Sequence, residues 1–356
     1  MTSDTQIGFS PRQWDRIRET YTAWWRGELD RPLVNLVVSD PMTSERSSFM
    51  TNWPPDMSDE EVVATVEELF SRRRYYGDAL PYYFINYGPG VAAAFAGARP
   101  HPAPDTVWFE PPAHERLADL HIALDRTNSW WRRICHVTDL LARRLGERIQ
   151  ISITDIGGNL DILASLHGTE RLLIDTAENP AEVLRCGGEV TRLWMEAYDA
   201  LRTLTAAHCP GTITWAWTWA PGSTYMLQSD LSYMISPGMF KQFVLPDLQA
   251  CCNHLEYSFY HLDGVGELPH LEHLLSIPNL HGIQWIPGAG KPPAAEWPDV
   301  LGRIREADKL IQISATPQEA REIIRRHGGK GFLFVMNVPR LSDAVAQRLA
   351  REFGAA

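Results

Sequence analysis

The chain has 356 residues, 44% of them hydrophobic and 22% charged, with a formal net charge of −11. That balance belongs to a folded globular protein, and its acidic excess argues against a nucleic-acid groove or an anionic membrane as the main partner. No stretch approaches the roughly 20 apolar residues that span a bilayer. The first residues lack the basic start and apolar run of a secretory signal. The five cysteines form no CxxC pair, predicting neither a disulfide framework nor a zinc knot and fitting a reducing, cytoplasmic setting.

Residues 1–60 read as an N-terminal extension: a polar helix at 11–25, a strand at 32–38 (PLVNLVV) and a Pro- and Ser-rich loop at 40–57. Ser58 followed by Asp59, Glu60 and Glu61 is an N-cap with an acidic first turn, which opens a helix reaching about Tyr75. The basic runs at 72–74 and 132–133 fall in helical-looking stretches and read as solvated faces. Residues 80–112, crowded with Tyr, Phe, Gly and Pro, read as strand plus irregular loop, a candidate lid or insertion.

From 149 onward strand and helix patterns alternate. The strands are placed at 149–154 (IQISIT), 212–219 (TITWAWTW), 257–262 (YSFYHL), 282–286 (GIQWI), 310–314 (LIQIS) and 331–338 (GFLFVMNV). Helices fall near 180–207, 237–256, 294–307, 316–327 and 340–353, two of them opened by Ser236-Pro237 and Thr316-Pro317. Repeated β–α units predict parallel strands joined by right-handed crossovers. A doubly wound sheet would carry a glycine-rich phosphate loop, and neither Gly157-Gly158 nor Gly288-Ala289-Gly290 completes one. The expected fold is therefore α/β, a (β/α)8 TIM barrel forming a single domain over 1–356, because such a barrel takes about 250 residues and leaves room for the extension.

Barrel enzymes place their reactive groups at the C-terminal ends of strands. That rule selects Asp155, Trp219, His261 with Asp263, Gln284 with Trp285, Ser314 and Asn337. His261 and Asp263 are the sharpest pair. Two apart on a strand, their side chains share a face within about 7 Å, where an imidazole and a carboxylate can share a divalent metal or act as acid and base. Gly264 lets the backbone turn away after them. Asp230 and Tyr233 precede the Ser236-Pro237 helix start and are further pocket candidates, whereas His270, His273 and His281 read as surface histidines. In TITWAWTW, Trp215 and Trp217 read as core packing and Trp219, beside Pro221-Gly222, as a pocket wall.

The stretch 229–297, with its SPGMFKQFVLP and YHLDG phrases, and the segment NLDILASLHGTERLLIDTAENPAEV at 159–183 resemble the uroporphyrinogen decarboxylase-like superfamily. More narrowly they look like its methyltransferase-related members, some labelled as trimethylamine corrinoid proteins. The resemblance covers roughly residues 150–340, and WWRGELDRPLVNL at 24–36 is similar to the same subgroup. It implies a zinc-dependent enzyme that moves a methyl group between a corrinoid protein and a thiol through a His-x-Cys pair and a later cysteine. Here His261 matches, Asp263 stands for the first cysteine and Asn337 falls about where the second is expected. The porphyrinogen decarboxylases carry an arginine-rich RQAGRY phrase, which residues 1–60 lack.

The expected function is methyl transfer, corrinoid- or folate-linked, on a small-molecule substrate. His261 and Asp263 would be catalytic. Zinc or another divalent ion would sit on His261, Asp263, Asp155 and Asn337, and Trp219, Asp230, Tyr233, Gln284 and Trp285 would shape the pocket. A corrinoid protein is the expected partner and a homodimer the expected assembly. Two alternatives stand beside it: a metal-free lyase or decarboxylase of a small carboxylated substrate, and a non-catalytic barrel that binds a corrinoid or tetrapyrrole.

Overall fold

Helix α1 (Pro11–Trp25) opens at Ser10, whose N–H donates to Gln13 Oε1 at 2.9 Å, with Pro11 supplying a first turn that needs no N–H partner. Its buried stripe is Trp14, Ile17, Tyr21, Trp24 and Trp25, the 3.6-residue spacing of one helix face. The structure, a computed structural model, describes residues 7–39, 48–54, 56–104, 106–338 and 341–355. Half of the expected loop at 40–57, namely 40–47 and 55, therefore lies outside the described residues.

Among the described residues thirteen strands follow in chain order: β1 (Leu33–Ser39), β2 (Arg73–Gly77), β3 (Tyr82–Phe84), β4 (Arg99–Pro102), β5 (Val107–Glu110), β6 (Gln150–Ser152), β7 (Thr212–Ile213), β8 (Trp219–Ala220), β9 (Thr224–Leu227), β10 (Tyr257–Asp263), β11 (Gly282–Ile286), β12 (Leu310–Ser314) and β13 (Phe332–Asn337). Seven form one sheet in the order β2-β1-β13-β12-β11-β10-β9. Every neighbouring pair in it is parallel except β1 with β2. β3 and β6 form a separate parallel pair. Among the described residues the strand hydrogen bonds do not close into a ring, so the structure is α/β around a mainly parallel sheet.

Helices before β6 are α2 (Asp59–Ser71), α3 (Ala92–Phe95) and α4 (Ser129–Leu145), and after it come α5 (Asn159–His167), α6 (Thr169–Glu178) and the long α7 (Pro180–Ala206). The helix Pro298–Glu306 packs against β12, and Asp343–Glu352 against β1 and β2. The stretch expected as one helix over 237–256 is two, Pro237–Phe243 and Leu245–His254. Pro246 has no N–H to continue the ladder, so the chain restarts at Val244. Val91 to Phe95, within the candidate lid, are fully buried, and the exposed part of that stretch is the β4–β5 hairpin with Trp108 69% exposed. No described helix is long and apolar enough to cross a membrane.

The largest departure from expectation is TITWAWTW. Its ends pair antiparallel, Thr212 with Ala220 and Ile213 with Trp219, leaving Thr214 to Thr218 as a tight turn. The hydroxyl oxygen of Thr214 accepts from the Ala216 and Thr218 N–H groups, both at 3.2 Å, a local bond that competes successfully with a strand ladder. Trp217 takes φ 72°. Trp219 is thus no pocket wall. It is fully buried against Tyr21, with ring centroids 5.7 Å apart, in a layer with Trp24, Trp25 and Phe259. The Trp219 carbonyl accepts from Trp25 Nε1 at 2.9 Å, and its own Nε1 donates to Gln150 Oε1 at 3.1 Å. Trp219→Ala should cost about 3–5 kcal/mol of unfolding free energy, the usual loss for a buried aromatic. Urea unfolding measures it, and a near-neutral result would mean this layer is not packed as described.

Candidate functional site

Strand parity builds the site. On β10, Phe259, His261 and Asp263 share one face, while Ser258, Tyr260 and Leu262 turn to the helices. His261 is in register with Gln284 on β11, and Gln284 with Gln312 on β12. A polar row therefore crosses three strands. The His261 Nδ1 is hydrogen-bonded to Gln284 Oε1. An amide oxygen can only accept, so Nδ1 carries the proton and Nε2 is left for other work. Nε2 lies 3.8 Å from Asp263 Oδ2, and the His261 ring packs edge-on to Trp215 with centroids 5.0 Å apart.

The same parity separates two residues that were expected together. Trp285 follows Gln284 and so faces the other way; it is fully buried among the helices, 5.7 Å from the Trp297 ring. It cannot line a pocket at His261. His270, read from sequence as a surface residue, is 1% exposed and bonds through Nε2 to the Ser232 carbonyl at 2.8 Å. Asn337 ends β13, and its side chain lies outside the described residues.

Carboxyl groups surround the histidine. Asp155, just past β6, accepts from the Tyr225 hydroxyl and the Gly157 N–H, each at 2.9 Å. Burial pushes its pKa up to about 6 despite those bonds, and the charges of Asp230 and His261 also act on it. Asp230 opens the 3-10 turn Asp230–Met234 and keeps an exposed surface although protein encloses most of it. Its pKa is raised, first by burial, with His261 opposing and Asp263 adding to the rise. Tyr233 in that turn is 55% exposed and lies over Gly266, where a Cβ would come within 2.4 Å of its ring.

Two further acids were invisible in the sequence. Asp161, in the first turn of α5, accepts from the backbone N–H groups of Asp230 at 2.9 Å and Leu231 at 2.8 Å, and so fixes the Asp230 turn. Its pKa is raised by burial and by the Asp230 charge. Glu267 is 1% exposed and takes a hydrogen bond from the Tyr260 hydroxyl at 3.1 Å. Burial, with the charges of Asp230, Asp161 and Asp263, pushes its pKa up to about 9. No spacing rule marks either residue; their positions depend on where a helix start and a turn meet in space.

His261 has the opposite balance. Burial works to lower its pKa, but Asp263, Gln284 and the Asp230 charge outweigh it, and the net shift is upward. Asp263 is correspondingly held below the usual carboxylate range by the His261 ring. The arrangement therefore stabilises an imidazolium–carboxylate pair, with Glu267 close behind it as an acid that holds its proton at neutral pH. Among the described residues, no three His, Cys, Asp or Glu side chains converge to hold a metal ion. His261, Asp263 and Asp155 therefore do not form a ligand set as they stand. Nor is there a ready thiolate: burial pushes the thiols of Cys135, Cys186, Cys209 and Cys252 up to about 11, and that of Cys251 higher still.

The chain matches no protein-family model and no curated protein. Among solved structures it is similar to a methyltransferase from Methanosarcina mazei, with a TM-score of 0.63 over 96% of this chain and 99% of that one, at 14% identity. At that identity the likeness establishes the fold.

Two expectations follow from the electrostatics. Asp263→Asn removes a charge that raises the His261 pKa, so that pKa should fall; a histidine NMR titration reads it, and an unchanged value would mean the pair is not coupled. Glu267 is raised from 4.5 to about 9 in the folded state. It binds a proton that the unfolded chain has lost, so its contribution to stability declines as pH rises across that window. Glu267→Gln imitates the protonated acid and should make the protein more stable than wild type near pH 9 but not near pH 5. Urea unfolding at both pH values decides this, and parallel pH profiles would exclude it.

Proposed function

We propose that this chain is a methyl-transfer enzyme of the uroporphyrinogen decarboxylase-like kind, a single (β/α)8 barrel whose acid–base pair is His261 and Asp263. The observation that carries the reading is the histidine itself. Its Nδ1 is committed to Gln284, its Nε2 faces Asp263, and both sit at the end of β10 in a fold shared with a methyltransferase. The eight parallel strands of the barrel would be β1, β3, β6, β9, β10, β11, β12 and β13.

With a corrinoid donor the bonding pair would stay on cobalt without a proton, and the carboxylates here would take the proton that a thiol or amine acceptor loses. In transfer from an N-methyl donor such as a methyl-folate, the nitrogen keeps the bonding pair and takes up a proton while the acceptor supplies a lone pair. A His261 imidazolium can give that proton from Nε2, and Asp263 stabilises the imidazolium before transfer. Asp230 and Asp155, with raised pKa values, lie within electrostatic reach to return it. A methyl-corrinoid, carried by a partner protein, or a methyl-folate is the donor class we favour. The donor set does not suit zinc: no third His, Cys, Asp or Glu joins His261 and Asp263 among the described residues, and no step is assigned to a metal. Asp263, and Asp155 above its pKa of about 6, would repel a carboxylated substrate, which ranks the lyase reading second.

The test uses protein purified without added metal, assayed for methyl transfer from methylcobalamin and from methyltetrahydrofolate to thiol and amine acceptors. His261→Ala should lower the rate by about 10²–10⁴-fold, the usual contribution of a positioned acid. Full activity in that variant would overturn the assignment. Stoichiometric metal in wild type that is lost in His261→Ala would replace the acid–base role by metal binding. Release of carbon dioxide without methyl transfer would favour the lyase, and ligand retention without turnover a binding barrel.

A further inference from the structure

The basic run at 72–74, which reads from sequence as a solvated face, points in different directions. Arg72 pairs with Glu68 at 3.2 Å and Arg74 with Asp343 at 3.1 Å. Arg73 makes no ion pair among the described residues. It is half-buried, with its guanidinium carbon 5.5 Å from the centroid of the Phe70 ring. Its charge reaches the hydroxyls of Tyr75, Tyr82 and Tyr83, each raised by burial and partly restrained by this arginine.

Beside Arg73 is a cavity of about 350 Å³ between α2 and β3, walled by Trp53, Thr65, Tyr83, Phe84 and Trp217. Its size is at the small end of ligand sites, its walls are largely aromatic, and Ser48, Thr65, Asn86 and Arg73 bring polar groups to it, the mix of such sites. A half-buried cation without a counterion is costly, and a guanidinium is best relieved by a carboxylate that accepts two parallel N–H bonds. The indole of Trp217 is held there by a residue in the left-handed region, φ 72°, with its carbonyl accepting from Asn35 Nδ2 at 3.3 Å. Local strain of that kind, about 1–3 kcal/mol, persists where surrounding structure over-determines it and clusters at ligand sites.

We propose that this cavity binds a flat aromatic monocarboxylate, its ring between Trp217, Phe84 and Trp53 and its carboxylate on Arg73. Among the described residues one cation lines the cavity, so one carboxylate is matched. With a net charge of −11 the protein as a whole repels anions, so recognition must come from this local pairing. The site does not depend on the chemistry proposed for His261, although the turn carrying Trp217 also carries the Trp215 that packs on His261.

The experiment is isothermal calorimetry of the full chain with 2-naphthoate and with its uncharged analogue 2-naphthalenemethanol, at low salt and near-neutral pH. Naphthoate should bind at one site per chain, and the alcohol at least about tenfold more weakly, the worth of one charged hydrogen-bonded pair. Arg73→Gln should bring naphthoate down to the level of the alcohol. Thr65→Phe, which fills the cavity from a half-exposed position on α2, should abolish binding of both and serves if the arginine variant does not fold. Equal affinities for acid and alcohol, undiminished naphthoate binding by either variant, or no binding of either compound would overturn the proposal.

Discussion

The bonds that Thr214 makes to the Ala216 and Thr218 N–H groups decide where three indoles of this molecule lie. Without that turn, the three indoles of TITWAWTW would alternate along a strand and lie on one face. With it, they separate. Trp215 packs against His261, Trp217 against Tyr82 with centroids 4.5 Å apart, and Trp219 enters the buried layer with Tyr21 and Phe259. The turn is anchored from two strands, because the Tyr82 hydroxyl donates to the Trp215 carbonyl at 2.8 Å and Asn35 Nδ2 reaches the Trp217 carbonyl. One five-residue segment thus links the packed base of the sheet to its reactive end.

That base is what makes the polar row above it affordable. Phe259 and His261 are on the same face of the same strand, two residues apart. Phe259 stacks with Trp24 at 5.9 Å and belongs to the dry aromatic layer, while His261 meets Gln284 and carboxylates. The change from apolar to polar takes about 7 Å, two strand residues. Such a gradient keeps water from one end of the strand and leaves ionisable groups at the other, where partial burial can shift them.

How much of this could be read in advance depended on the range of the interaction involved. Strand periodicity located β10, β11, β12 and β13 and put His261 and Asp263 on one face, because alternation is a property of the backbone alone. The same rule, applied to Gln284 and Trp285, would have separated them; only the first faces His261. Helix starts at Pro237 and Pro317 were legible from their capping residues. Thr214 was not, since a threonine in a β-rich run ordinarily supports a strand and only the antiparallel return at Trp219 and Ala220 shows that its side chain has replaced the ladder. Asp161 and Glu267 were beyond reach for a different reason. Each acquires its role from a contact across the fold, Asp161 to a backbone 69 residues away and Glu267 through several charges converging on one buried carboxyl. The Arg73 cavity belongs with them, because neighbouring arginines in a sequence look alike until their partners are known.

Considered together, the shifted groups explain why acid–base chemistry suits this site better than the thiolate chemistry its resemblance implies. A thiolate needs nearby positive charge or a metal to lower its pKa, whereas every cysteine here is raised by burial. The carboxyls Asp155, Asp230, Asp161 and Glu267 are raised too, so they hold protons at pH values where exposed acids have released them. Of the carboxyls around His261 only Asp263 moves down, held there by the His261 ring beside it, whose own pKa moves up. Groups with opposite shifts in contact fit a donor and its stabilising anion, and on the proposed function the raised acids around them would return the proton. On the proposed function, Asp263 in place of the expected cysteine would make this a site that delivers a proton rather than one that activates a sulfur nucleophile.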